Sequence, residues 1–157
     1  MQGSISYIIV AVLALALVRA AWGDLKTRTI PNWLNLAIAL GAPLWWWANG
    51  WSLWPAVTVQ LLIFVVIFLI FAGCFAIGAM GGGDVKLIAA LSLWLPLTPL
   101  IRMLFIMAVL GGIVTLATLL VHKLAKRAGA PEIPYGVAIS LAGLWVFANE
   151  LLTISSP

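Results

Sequence analysis

The chemistry available to this chain rests on very few side chains. Its 157 residues are 65% hydrophobic and 8% charged, with four acids, Asp24, Asp84, Glu132 and Glu150, one His and one Cys. A carboxylate at membrane depth is costly and by default marks a functional position. Asp24 begins the polar stretch Asp24-Leu-Lys-Thr-Arg-Thr-Ile-Pro-Asn32, and Asp84 closes Gly78-Ala-Met-Gly-Gly-Gly-Asp84. Two carboxyls that share a site resist double ionisation, so one stays charged and takes a proton from water while the other keeps a proton to donate. That is aspartic-protease chemistry, and it needs no metal, cofactor or nucleophilic side chain. The same two acids would also suit a small transporter that binds a cation or relays protons. With a single Cys, Cys74, the chain offers no internal disulfide and no Cys-based zinc cluster.

The elements that must position these acids are membrane spans. So few charged residues cannot cover a soluble globule, and the mean hydropathy of +1.21 places most of the chain in lipid. Runs of roughly 20 apolar residues predict six spans: Ile5 to Trp22, Trp33 to Ala48, Pro55 to Met80, Val85 to Leu95, Pro99 to Val121 and Tyr135 to Ile154. The fourth is short and requires tilt, a thinned bilayer or protein on all sides. The expected fold is therefore all-α, a single polytopic domain over residues 1–157 with no soluble part.

Orientation follows from Lys and Arg, which accumulate in cytoplasmic loops. Arg19, Lys26, Arg28, Lys86, Lys123, Lys126 and Arg127 fall at odd-numbered connections, and only Arg102 lies elsewhere. Both termini are thus expected outside, in the periplasm. Asp24 and Asp84 then share the cytoplasmic rim. The basic residues are dispersed among apolar segments, which speaks against nucleic acid as a partner. Trp45, Trp46, Trp47, Trp51 and Trp54 are expected to form an interfacial belt at the outer headgroups. The first segment lacks the basic start of a signal peptide and reads as an uncleaved span.

Plainer readings of both acids exist. The three glycines before Asp84 allow positive φ and a close backbone approach, so that an extended peptide could lie there; in the plainer reading Asp84 caps a helix starting at Val85 and the glycines form an ordinary turn. Asp24 would pair with Lys26 or Arg28 at a wet surface. Lys86 would lower a carboxylate pKa, hold a substrate carbonyl, or snorkel. Asn32, Gln60 and Asn149 are expected to bond across helices, and Glu150 to sit at headgroup level.

Asp24 followed by Ile30-Pro31-Asn32, and then Gly81-Gly-Gly-Asp-Val-Lys86, resembles the two-aspartate signature of the type IV prepilin peptidases, within the Gly-x-Gly-Asp class of intramembrane aspartyl proteases. Ile133-Pro-Tyr-Gly-Val-Ala-Ile139 resembles a third segment of the small stand-alone forms that serve tight-adherence (Flp-type) pili. The resemblance implies that Asp24 and Asp84 are catalytic and that Gly81 and Gly83, with Lys86 beside them, shape the site. It also implies a pilin-like precursor whose basic leader is cut off at the cytoplasmic side of the bacterial inner membrane. Glu132 would meet that leader or pair with Lys126 or Arg127. Larger members carry paired Cys-x-x-Cys motifs and methylate the product; this chain does not carry them, so no methyltransferase activity, zinc or other cofactor is expected. By each aspartate's own helix end, Asp84 is expected to be the base and Asp24 the protonated partner.

Overall fold

The computed structural model describes residues 2–125 and 133–155. It is all-helical: α1 (Gln2–Thr27), α2 (Asn32–Ala48), α3 (Thr58–Ala76), α4 (Gly82–Ser92), α5 (Leu97–Leu124) and α6 (Tyr135–Ser155), with an irregular turn Leu53–Val57 leading into α3. Three stretches, Ile5–Thr27, Leu53–Ala76 and Leu97–Leu124, are long and apolar enough to cross a bilayer. Their side chains are apolar all round, as lipid demands. On α3 only Gln60 and Ile67 are buried, while its remaining Val, Ile, Leu and Phe side chains face outward to varying degrees.

α4 is the centre of the bundle. Val85 and every residue from Leu87 to Ser92 are buried, and the helix packs against α2, α3 and α6. Eleven residues rise only ~16 Å, about half the hydrocarbon thickness. The short fourth segment therefore takes the option of protein all round. A helix that ends among buried side chains leaves its last carbonyls without helical partners, and each would be costly if unmatched. Side chains supply the donors. Gln60 Nε2 donates to the Ser92 and Leu95 carbonyls, the latter at 2.7 Å, and Trp46 Nε1 donates to Leu93 O at 2.8 Å. Trp94, in the same turn, donates from Nε1 to Ile38 O at 2.9 Å.

These bonds correct the expectation of a uniform tryptophan belt. Trp47 and Trp54 are exposed, but Trp45 is buried against Trp94 and Trp46 pins the end of α4. A donor that satisfies a buried carbonyl and a ring that fills a core are indistinguishable from interface anchors by composition alone. Gln60 does bond across helices, and Asn149 Nδ2 donates to Trp145 O within α6. The core beneath is aliphatic, with Leu17, Leu87, Ile88, Leu91, Leu100, Met103 and Ile139 almost wholly buried. α6 fills the space between α1 and α5. Close approach there depends on Gly111, where any Cβ would come within 2.7 Å of the Tyr135 ring.

Candidate active site

α1 runs on to Thr27, so Asp24 lies in its last turn rather than in a loop, and it is only 4% exposed. Neither wet pairing occurs in the expected form, and Lys26 lies over the Trp22 ring at 4.9 Å. The chain reverses at Arg28, whose φ of 53° is left-handed, and Arg28 N–H donates to Asp24 O at 3.1 Å. This is the usual place for a C-terminal glycine, and a side chain there costs of order 1 kcal/mol. The reversal carries Ile30 and Pro31 back over the end of α1.

Facing Asp24 is the start of α6. Val137 N–H donates to Asp24 Oδ2 at 3.3 Å, and the Gly136 N–H also bonds to this carboxyl. Gly136 admits the approach because it lacks a side chain. A Cβ there would lie 2.9 Å from Asp24 Oδ2 and 2.7 Å from Ile30 Cδ1. Sequence reasoning assigned the charges from each aspartate's own helix end; the structure adds a second helix N-terminus, that of α6, beside Asp24.

α4 begins at Gly82, three residues before the expected start, with extended Gly81 (φ −73°, ψ 144°) before it. Asp84 is thus in the first turn, and its carboxyl folds back onto the Gly81 N–H, one half of a capping box. The positive φ in this segment belongs to Gly78 (φ 74°), so the three glycines before Asp84 do not use the positive φ that they allow. Their smallness matters instead. A Cβ on Gly83 would be 3.3 Å from Ile30 Cβ and 3.5 Å from the Ile30 backbone N and O.

Ile30, 6% exposed, is therefore wedged between Gly83 and Gly136, and joins the segments that hold the two acids. The carboxyl of Asp84, which lies outside the three long spans, is pushed up to about 7, first by burial and then by the charge of Asp24, with the Gly81 N–H opposing. The two carboxyls thus lie within each other's field.

Two further bonds tie α2 to the start of α4. Asn35 Nδ2 donates to Gly83 O at 3.2 Å, and Lys86 Nζ donates to Asn32 Oδ1 at 2.7 Å. Lys86 is engaged by an amide, not by either carboxylate. Glu132, with Lys126 and Arg127, lies outside the described residues. Glu150 is remote from the pair, 3.8 Å from Arg102. The sequence reading missed Ile30, Asn35, Gly136 and Val137 as parts of the site. Three of them stood in segments already singled out, and Asn35 offered only the oddity of a second amide in an apolar helix.

Residues 11–116 match the type IV leader peptidase family. The chain belongs to that family. The match takes in both aspartates, the turn between α1 and α2 and the glycine segment, and ends within α5. The α6 donors to Asp24 therefore lie beyond the stretch that identifies this leader peptidase relative. No curated protein and no solved structure is matched. Family and architecture together describe a helical membrane protein of the peptidase class.

Proposed function

We propose that this protein is an aspartyl endopeptidase of the bacterial cytoplasmic membrane, spanning it six times with both termini outside. It removes the basic leader of a Flp-type, pilin-like precursor at the cytoplasmic face and does not methylate the product. The observation that supports this reading most directly is that Ile30 packs against both Gly83, next to Asp84, and Gly136, next to the Asp24 carboxyl, with the Asp84 carboxyl responding to the Asp24 charge.

In this reading Asp24, which accepts the α6 N–H groups, is the ionised partner and Asp84 holds the proton. Water adds to the scissile carbonyl carbon while Asp24 takes its proton and Asp84 gives a hydrogen bond, then a proton, to the carbonyl oxygen. When the C–N bond breaks, the proton on Asp24 passes to the departing amine and that on the oxygen returns to Asp84. Atoms and charges balance without a metal or a covalent intermediate.

Co-expression with a Flp-type pilin precursor, followed by intact-mass measurement of its N-terminus, tests the proposal. The wild type should yield the shortened product, and Asp24→Asn and Asp84→Asn should each lower the yield by about 10³-fold. Normal shortening by both variants would reject the dyad. Ion-dependent flux without any shortened product would assign the acids to transport.

A further inference from the structure

α2 and α3 both pack on α4, yet their main packing is not on each other. Between them an open cavity of about 320 Å³ runs from Lys86, Asn32 and Asn35 at the site end, past Ala89 and Ala90 on α4, to Phe64 and Phe68 on α3. One turn of a helix ~10 Å wide and 5.4 Å long fills on the order of 400 Å³, so the cavity admits side chains of a neighbouring helix and not the helix itself. Its floor is two adjacent alanines, which let another backbone come close.

A second observation points to a peptide rather than a lipid chain. Asn35 is 4% exposed, and while its Nδ2 holds Gly83 O, its Oδ1 has no hydrogen-bond partner. A buried acceptor left unmatched costs ~1–3 kcal/mol. An acyl chain would leave it so. The first turn of a helix brings N–H groups that have no partners of their own. The cavity is also continuous with the candidate site, because Asn35 grips the residue immediately before Asp84.

We infer that the groove between α2 and α3 seats the apolar helix of the protein substrate, its side chains over Ala89 and Ala90 and its N-terminal turn at Asn35. This rests on the peptidase reading and adds where the substrate lies. The uncleaved leader then crosses the Asp24 and Asp84 pair, and entry is sideways from the bilayer, through the gap that α3 leaves by packing on α4 rather than on α2.

The experiment places a photoreactive amino acid at Leu36, at Phe68 or, as a control on another helix, at Leu116, which is 70% exposed. Each is built into the Asp84→Asn protein and irradiated with the same Flp-type precursor in membranes. Adducts with the precursor at Leu36 and Phe68, at least about tenfold above Leu116, are expected. Equal yields at all three sites, or lipid adducts alone in the groove, would overturn the inference. The peptidase reading is judged separately by wild-type shortening of the precursor. Shortening with adducts mapped away from the groove leaves the enzyme and removes its seat.

Discussion

The two ends of α4 are built on opposite rules. At its C-terminal end, the polar side chains Gln60, Trp46 and Trp94 reach carbonyls on another helix or turn, and aromatic rings close around them. At its N-terminal end glycines admit Ile30, Asn35 keeps an unmatched oxygen, and the Asp84 carboxyl lies within reach of the Asp24 charge. At the first end the carbonyls are matched, although the buried Trp45 Nε1 beside Trp94 is not; at the second, in the proposed reading, substrate and water supply what is missing. The contrast teaches that burial of a polar group in this bundle has two meanings, told apart by whether its hydrogen bonds are complete.

The largest break in that contrast comes from the N-terminal side. Gly136→Ala places a methyl 2.9 Å from Asp24 Oδ2 and should slow cleavage about a hundredfold, whereas Gly112→Ala, with nothing within 4 Å, should cleave normally. Wild-type rates for Gly136→Ala in the mass assay would detach α6 from the site.

A smaller effect follows from proton occupancy. The Asp84 carboxyl sits at about 7, above its ordinary value of 3.8, so its proton is held through the acidic range and lost as pH rises past that point. Cleavage should fall roughly fivefold between pH 7 and 8. A rate that climbs over that interval would return the proton to Asp24.

On the other end the expected change in rate is nil. Gln60→Leu strips the donor from two buried carbonyls and should lower stability by about 2 kcal/mol, seen as a lower melting temperature in detergent, with cleavage per folded molecule unchanged. A loss of rate without a loss of stability would show that the two ends are coupled.

Much of the fold was legible because lipid imposes a simple code. Apolar runs gave all six helices, with Asn32–Ala48 within one residue of the expected start. The two aspartates were legible because ionisable groups are so scarce. What the sequence hid was contact between distant segments. Nothing local in Tyr135-Gly136-Val137 says that its N–H groups face residue 24, and nothing in Ile30 says that two glycines make room for it. The early start of α4 was hidden for a related reason: glycine disfavours helix by about 1 kcal/mol, and packing against Ile30 and Phe75 decides otherwise. The tryptophans misled because a ring at an interface and a ring pinning a carbonyl carry the same letter.

The hydrogen bond from Val137 to Asp24 joins positions 113 apart in the chain. During synthesis the first helix and its acid reach the bilayer long before the last helix emerges from the ribosome. Until α6 inserts, Asp24 lacks the Val137 N–H that its carboxyl accepts. If the proposed dyad holds, a nascent or truncated chain lacks part of its site until the final segment arrives.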